Sequence, residues 1–147
     1  MAQALSGRGL VELSKQELDQ LFGGSPAGEI PRGECEGTVI VDPGTELSEI
    51  AAKVAHAMLW QGKVFDPDEG KLRNKIPPFG VKAISAKVYK DASWSDEKEC
   101  IVVDYSETSL VAHRGRDELR QVGPEVYLGI SYWGRHRLLY FALDFAP

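Results

Sequence analysis

The chain has 147 residues, of which 43% are hydrophobic and 27% charged, and its formal net charge is -5 at pH 7. A globular protein of this length buries roughly 70% of its unfolded surface, and the acidic balance argues against general nucleic-acid binding, which requires a basic surface. We expect no membrane association and a cytoplasmic location, because no run approaches the ~20 apolar residues of a membrane span and no signal peptide is recognisable.

The N-terminal part predicts a short helix followed by a linker. Ser14 and Glu17 have the spacing of a capping box. Apolar residues follow at helical spacing, and we expect Gly23 and Gly24 to end the helix. Residues 25–33 contain two prolines and several small residues, which is typical of a linker on the protein surface.

A second helix is predicted shortly after the linker. Residues 36–41 are typical of a short strand, and a turn follows it. Residues 46–59 carry apolar side chains at helical intervals. We expect this amphipathic helix to pack on a sheet or to cap the end of a barrel.

The remainder of the chain predicts β-structure. Apolar and polar residues alternate in several segments, with turns about every eight to twelve residues. This spacing favours an antiparallel barrel or sandwich over a parallel α/β sheet. Strands are predicted at residues 60–66, 72–76, 80–90, 100–105, 108–113, 126–133 and 138–145.

Residues 104–120 contain more polar side chains than a β-core requires. In one interpretation, the charged residues 116–120 form exposed salt bridges around a strand end, and the acidic run 96–99 is a solvated turn. In the other, Arg114 or Arg116 binds a carboxylate or enolate bidentately, and His113 transfers protons. The candidate catalytic residues are His113, Arg114, Arg116, Asp104 and Tyr105.

Strand alternation leaves one choice open in this region. Either Cys100, Val102 and Asp104 or their neighbours Ile101, Val103 and Tyr105 face the interior. Aromatic side chains with polar tips suit an apolar or aromatic small ligand. The candidate ligand-binding residues are Trp60, Lys63, Tyr89, Trp94, Ser109, Tyr127, Tyr132 and Trp133.

The sequence predicts no metal site and no cofactor. Cys35 and Cys100 are far apart and lack the paired spacing of a zinc site, so we expect reduced, partly buried thiols. The three histidines are scattered, and no phosphate-binding loop or nucleophile elbow is present.

Two resemblances to known families concern the fold. The sequence Trp-Gln-Gly-Lys at residues 60–63 resembles the G-x-W-x-G opening strand of calycin-like barrels, which include lipocalin and nitrobindin relatives and uncharacterised bacterial families. Residues 111–118, 126–133 and 142–145 resemble the central and C-terminal region of phenolic acid decarboxylases, which are also small calycin-type barrels. That resemblance aligns Arg114 with an arginine the family uses, but Gly134 follows Trp133 where the family has a glutamate.

These observations predict a mainly β protein: an antiparallel, calycin-like β-barrel of about eight strands with two short helices. Residues 1–34 would form the N-terminal helix and linker, and residues 35–147 the barrel domain, including helix 46–59. We expect the lumen, the interior of the barrel, to bind a hydrophobic or aromatic small molecule. The alternatives are a cofactor-independent isomerase, cyclase or decarboxylase, or a partner-binding protein that uses the charged cluster; a homodimer is compatible with all three.

Overall fold

The computed structural model describes residues 7–40, 63–76, 81–106 and 114–145. Within these ranges the side chains of residues 7, 8, 63, 72–76 and 81–85 are not described. The predicted helix 46–59 and the predicted strand 108–113 lie outside the described residues.

The described residues form a closed antiparallel barrel in which each strand pairs with the next one along the chain. Pairing of the first strand with the last closes the barrel, with Glu36 opposite Asp144 and Ile40 opposite Tyr140. The predicted mainly β, antiparallel barrel is therefore confirmed. The strands are β1 (Gly33–Ile40), β2 (Lys63–Asp66), β3 (Lys71–Ile76), β4 (Val81–Ala92), β5 (Glu99–Asp104), β6 (Gly115–Gly123), β7 (Val126–Trp133) and β8 (His136–Asp144).

The strand β6 corrects the interpretation of the charged segment. One of the two interpretations placed residues 116–120 around a strand end, but they form the middle of β6, which pairs with both β5 and β7. Both faces of this strand are covered, since Asp117, Glu118, Leu119 and Arg120 are all buried. Its charged side chains therefore need partners inside the protein, which are described below.

The described apolar side chains of the inner face form a single cluster. Leu119 on β6 lies opposite Ile101 on β5 and Gly129 on β7. Gly129 lacks a side chain because the ring of Phe141 occupies that space, and a Cβ there would lie 2.3 Å from the ring. The buried members of the inner cluster are Ala27, Cys35, Phe65, Ala86, Val88, Ile101, Val103, Tyr105, Leu119, Tyr127, Leu139, Phe141 and Leu143.

A second apolar cluster lies on the outside of the barrel. The helices α1 (Gly7–Leu10) and α2 (Lys15–Gly24) bury Leu10, Leu18 and Phe22 against the outer face of β1, β7 and β8. The strand residues in this cluster are Ile40, Val126, Leu128, Ile130, Tyr132, Tyr140 and Ala142. Of the helices in the described ranges, neither has the length and apolarity that a membrane crossing requires.

The predicted N-terminal helix is confirmed, but it extends further than expected. Ser14 and Glu17 make both hydrogen bonds of the capping box, at 3.1 and 3.0 Å. Gly23 and Gly24 lie inside the helix, which ends at the extended Ser25. Pro26 accounts for this end, because a proline disfavours helical conformation in the residue before it.

The predicted surface linker covers one end of the barrel. Ala27 is buried in the inner cluster, and Ile30 packs against the same cluster. The backbone carbonyl of Ala27 accepts a hydrogen bond from Gln121, and Gly28 has a φ of 76° beside the Gln121 side chain. We call this the covered end, and the opposite end, at which β5 and β7 finish, the far end.

Candidate functional site

The structure resolves which residues of β5 face the lumen. Ile101, Val103 and Tyr105 belong to the inner cluster, and each is at most 1% exposed. The alternate residues Cys100, Val102 and Asp104 therefore lie on the outer face. Tyr105 consequently faces the lumen, whereas Asp104 does not.

A buried carboxylate lies among the apolar side chains of the inner face. Asp117 is 6% exposed and stands two residues before Leu119 on the same face of β6. It pairs with the lumen-facing Val103 on one side and with Ser131 on the other. The row across the sheet reads Val88, Val103, Asp117, Ser131 and Leu139.

Tyr105 lies close to this carboxylate and to the far end. Its backbone N–H donates to Gly115 at 3.3 Å, which places Tyr105 diagonally across the β5–β6 pair from Asp117. Such diagonal neighbours are about 7–8 Å apart, within reach of long side chains. Asp117 and Tyr105 both interact with further groups of the chain. An acid and a phenol thus line the same part of the lumen.

Aromatic rings fill the covered end. Phe145 contacts the rings of Phe65 and Tyr127, with centroids 5.6 and 5.5 Å apart. The Tyr127 hydroxyl donates to the Glu29 carbonyl at 2.6 Å, and burial raises the pKa of Tyr127 to about 12. Tyr127, a predicted ligand-binding residue, faces the interior at the end opposite Asp117.

Arg116 points away from the lumen, because its guanidinium binds the fully buried carboxylate of Glu118 on the outer face. Two of its nitrogens lie 3.1 and 2.8 Å from that carboxylate. Glu118 also accepts hydrogen bonds from the Ser93 hydroxyl at 2.6 Å and the Trp94 backbone at 2.8 Å. The predicted salt bridges around residue 116 thus exist in part, but buried under the β4–β5 loop (residues 93–98) rather than exposed.

Arg120 makes the second ion pair of this outer layer, with Asp96. Their atoms are 2.6 and 2.7 Å apart in a bidentate arrangement. The other donors of Arg120 bind the carbonyls of Phe22, Lys98 and Glu99. The hydrogen bond from Arg120 lowers the pKa of Asp96. Asp96, expected in a solvated turn, is therefore an anchor of the β4–β5 loop.

Trp94 and Tyr132 meet on the outer surface rather than in the lumen. Their rings make an edge contact with centroids 5.1 Å apart. The guanidiniums of Arg116 and Arg135 lie 4.1 and 4.2 Å from the centre of the Trp94 ring. Trp94 is 37% exposed and Tyr132 is buried, so this cluster fastens the β4–β5 loop to the barrel wall.

Tyr89 and Asp104 form a further outer-face pair. The Tyr89 hydroxyl donates to Asp104 at 2.8 Å, and the backbone of Ser106 donates to the same carboxylate at 2.9 Å. Burial raises the pKa of Tyr89 to about 12. Hydrogen bonds from Ser106 and Tyr89 lower the pKa of Asp104 against the opposing effect of burial. Both side chains are committed to each other outside the lumen.

The other predicted site residues lie at the far end of the barrel or outside the described residues. Arg114 is exposed in the turn before β6, and Trp133 is half-buried at the end of β7. Trp60, Ser109 and His113 lie outside the described residues, as does the side chain of Lys63. The described candidates are thus divided: Tyr105 and Tyr127 face inward, while Asp104, Arg116, Tyr89, Trp94 and Tyr132 face outward.

Asp117 was not among the predicted site residues. Its sequence neighbours Arg116 and Glu118 made it part of a charge run, which is typical of a solvated surface. Along a strand, Asp117 points to the opposite face from Arg116 and Glu118. The sequence does not show this alternation, because both faces of β6 carry charged residues. The pairing of Leu119 with β5 and β7 shows which face of β6 is the inner one, and Asp117 lies on that face.

The remaining features of the described residues are the possible metal ligands, the two cysteines and one surface crevice. Within the described ranges, no group of three or more His, Cys, Asp or Glu side chains is arranged to bind a metal ion. Cys35 and Cys100 are both buried and form no disulfide, and burial raises the pKa of Cys100 to about 12. A crevice of about 290 Å³ opens near Val64 and Phe65 beside the paired Arg32 and Asp68.

The comparisons with known proteins support the fold alone. No protein-family model matches the chain, and a search of curated proteins found no match. The chain is similar to a protein from Thermomonospora curvata known from a crystal structure, with a TM-score of 0.63 and 18% sequence identity. The similarity covers 90% of this chain and 88% of the other.

Replacing Arg120 should destabilise the protein strongly. In Arg120→Met, Asp96 loses its partner and the carbonyls of Phe22, Lys98 and Glu99 lose donors, so we expect a loss of about 3–5 kcal/mol. Urea denaturation provides the measurement. Arg32→Met is the matched control, because Arg32 makes the same bidentate pair with Asp68 on the exposed surface. Equal losses in the two variants would contradict the structural role of Arg120.

The Arg120–Asp96 pair should also give stability a defined pH dependence. The folded-state pKa of Asp96 is below its ordinary value of 3.8, so its contribution is complete above that pH and is lost as the pH falls through the folded-state pKa. The stability advantage of wild type over Asp96→Asn should shrink on acidification below pH 3.8. Denaturant titrations of both proteins across this range test it; a constant difference would contradict the assignment.

Proposed function

We propose that this protein is a calycin-type barrel that binds a hydrophobic or aromatic small molecule in its lumen. The observation that carries the proposal is the inner wall, where, in the described part of the chain, seven of the eight strands contribute buried apolar side chains to one cluster. A concave apolar surface with a small number of placed polar groups is the usual chemistry of a small-molecule site. The interior of an eight-stranded barrel is either filled by side chains or wide enough to hold one small ligand, and the proposal takes the second case.

The two ends of the barrel support entry from one side. The covered end carries Ala27, Ile30 and the aromatic contacts of Phe145. At the far end, β1 finishes at Ile40 and β2 begins only at Lys63, so the long connection of the chain starts and finishes there. We infer that a ligand enters at the far end, where Asp117 and Tyr105 lie.

We propose that the protein acts in the cytoplasm and binds neither nucleic acid nor a membrane. Two buried cysteines that form no disulfide suit a reducing compartment. A homodimer remains a prediction from the sequence.

Catalysis in the same lumen is the second candidate function. The observation that favours it is the proximity of a buried carboxylate, Asp117, to the Tyr105 phenol in an apolar environment. An acid and a phenol so placed suit proton transfer in a cofactor-independent isomerisation, cyclisation or decarboxylation. Arg116, one of the two arginines predicted to bind an anion, is bound to Glu118 outside the lumen, so this chemistry would not use Arg116.

Filling the lumen should weaken binding without disturbing the outer layer. We expect native mass spectrometry of the purified protein to detect a co-purifying small molecule, and the protein to bind an apolar fluorescent dye. In Val103→Phe the new ring occupies lumen space, so dye affinity should fall about tenfold or more, equivalent to about 1.4 kcal/mol. Fluorescence titration measures this, and Ala86→Val provides a milder filling variant.

The control is Val11→Phe, which adds the same ring at an exposed position. Its dye affinity should equal that of the wild type. Unchanged affinity in folded Val103→Phe and Ala86→Val, or failure of the wild type to bind any apolar probe, would contradict the proposed lumen site.

A further inference from the structure

Four arginines lie around the turn between β7 and β8 (residues 134 and 135), at the far end of the barrel. Arg114 stands beside this turn, because the Gly134 N–H donates to the Arg114 carbonyl at 2.8 Å. Arg135 belongs to the turn itself, Arg116 follows on β6, and Arg137 follows on β8. We call these four residues the arginine cluster.

Two members of the arginine cluster are neutralised by acids of the outer layer. Arg116 binds the buried Glu118 at 2.8 Å, and Arg137 binds Asp19 on α2. None of the described acidic side chains forms an ion pair with either of the other two arginines. The described acids therefore leave two positive charges at this turn uncompensated, although the whole chain has a net charge of -5.

The exposed Arg135 is held by an aromatic ring rather than by an acid. Its guanidinium lies 4.2 Å from the centre of the Trp94 ring. Trp94 is itself fixed by its edge contact with Tyr132 and by the hydrogen bond from its backbone N–H to Glu118 at 2.8 Å. Because contact with a ring does not use up the hydrogen-bond donors of a guanidinium, Arg135 can still donate to an anion.

The exposed Arg114 is held against the turn. Its guanidinium lies over Gly134, where a Cβ atom would stand 3.1 Å from the nearest nitrogen and 3.8 Å from the central carbon. Gly134 has a φ of 61°, a left-handed conformation that favours glycine. The turn therefore carries no side chain at the place that the guanidinium occupies. Both uncompensated guanidinium groups thus belong to the same turn and have defined positions.

Two fixed guanidinium groups suit a doubly charged oxyanion. A guanidinium presents its N–H groups in a planar fork that matches phosphate and carboxylate oxygens. A phosphate monoester carries a charge of about -1.5 to -2 at neutral pH and three acceptor oxygens. It can therefore accept hydrogen bonds from both arginines and compensate both charges, whereas a carboxylate compensates only one.

We propose that Arg114 and Arg135 form an anion site on the outer rim of the far end and that this site binds a phosphate group. The N–H groups of both arginines donate to the phosphate oxygens, while Gly134 and Trp94 hold the guanidinium groups in position. The site lies outside the lumen and does not depend on ligand binding there. Arg114 is one of the two arginines that the sequence predicts to bind an anion, whereas Arg135 was not predicted.

An NMR titration of the full-length protein with three anions at constant ionic strength tests the proposal. The probes are inorganic phosphate, phenyl phosphate and benzoate at about pH 7.5, above the second phosphate pKa of about 6. Both phosphates should shift the amide signals of Gly134 and Arg135 and bind about tenfold or more tightly than benzoate. Tighter binding of phenyl phosphate would indicate a phosphate ester as the ligand, and equal binding would indicate free phosphate; both results support the site.

Two variants and a matched control show whether these arginines bind the phosphate. Arg114→Gln and Arg135→Gln should each lower phosphate affinity about tenfold or more, because each loses a charge-assisted hydrogen bond. Arg32→Gln removes the same charge from an exposed arginine that Asp68 already neutralises, so it should keep the wild-type affinity. An equal loss in Arg32→Gln, unchanged affinity in both cluster variants, benzoate binding as tight as that of phosphate, or no shift with either phosphate would overturn the proposal.

Discussion

The guanidinium of Arg120 fastens three parts of the outer layer to the barrel wall. Its donors bind the end of α2 through Phe22, the β4–β5 loop through Asp96 and Lys98, and the start of β5 through Glu99. All five N–H groups of the side chain therefore have acceptors, and its Cζ atom lies 4.4 Å from the centre of the Phe22 ring. A fully buried arginine is tolerated only when its charge and donors are satisfied in this way.

This outer layer explains why the inside and the outside of the barrel have different chemistry. Cys100 and Val102 are buried on the outer face, and α2 covers the wall of β7 and β8. Arg116 and Arg120 bind the carboxylates and carbonyls of that outer layer, so their guanidinium groups do not face the lumen. On the inner face of β6 the alternation leaves Leu119 and Asp117. Among the described residues, the buried carboxylate of the inner wall therefore belongs to the same strand that anchors the outer layer.

Much of the fold could be predicted from local patterns. The bounds of β7 were predicted correctly, and those of β5 and β8 lie within two residues of the predicted strands. The capping box of Ser14 and Glu17 is equally local and was also confirmed. These signals depend on alternation, turns and neighbouring side chains, all of which are visible within a few residues.

The strand β6 and the candidate site could not be predicted in this way. Residues 116–120 contain one apolar residue, Leu119, so their alternation gives no hydrophobic signal. The partners that neutralise the charges are distant: Asp96 and Phe22 lie 24 and 98 positions from Arg120. Similarly, the burial of Ala27 depends on contacts across the barrel end. These partners, distant in sequence, satisfy the charges of residues 116–120 and allow a segment that resembles an exposed charged run to form a buried strand.

Methyl-group NMR during titration with 1-decanol tests the central claim most directly, because Val102 and Val103 are neighbours on opposite faces of β5. The account predicts chemical-shift changes at Val103, Leu119 and Leu139, which face the lumen, while Val102, Leu128 and Ile130 on the outer face remain unchanged. Shifts confined to the outer-face methyl groups, or no shifts at a saturating concentration of decanol, would contradict a ligand-binding lumen.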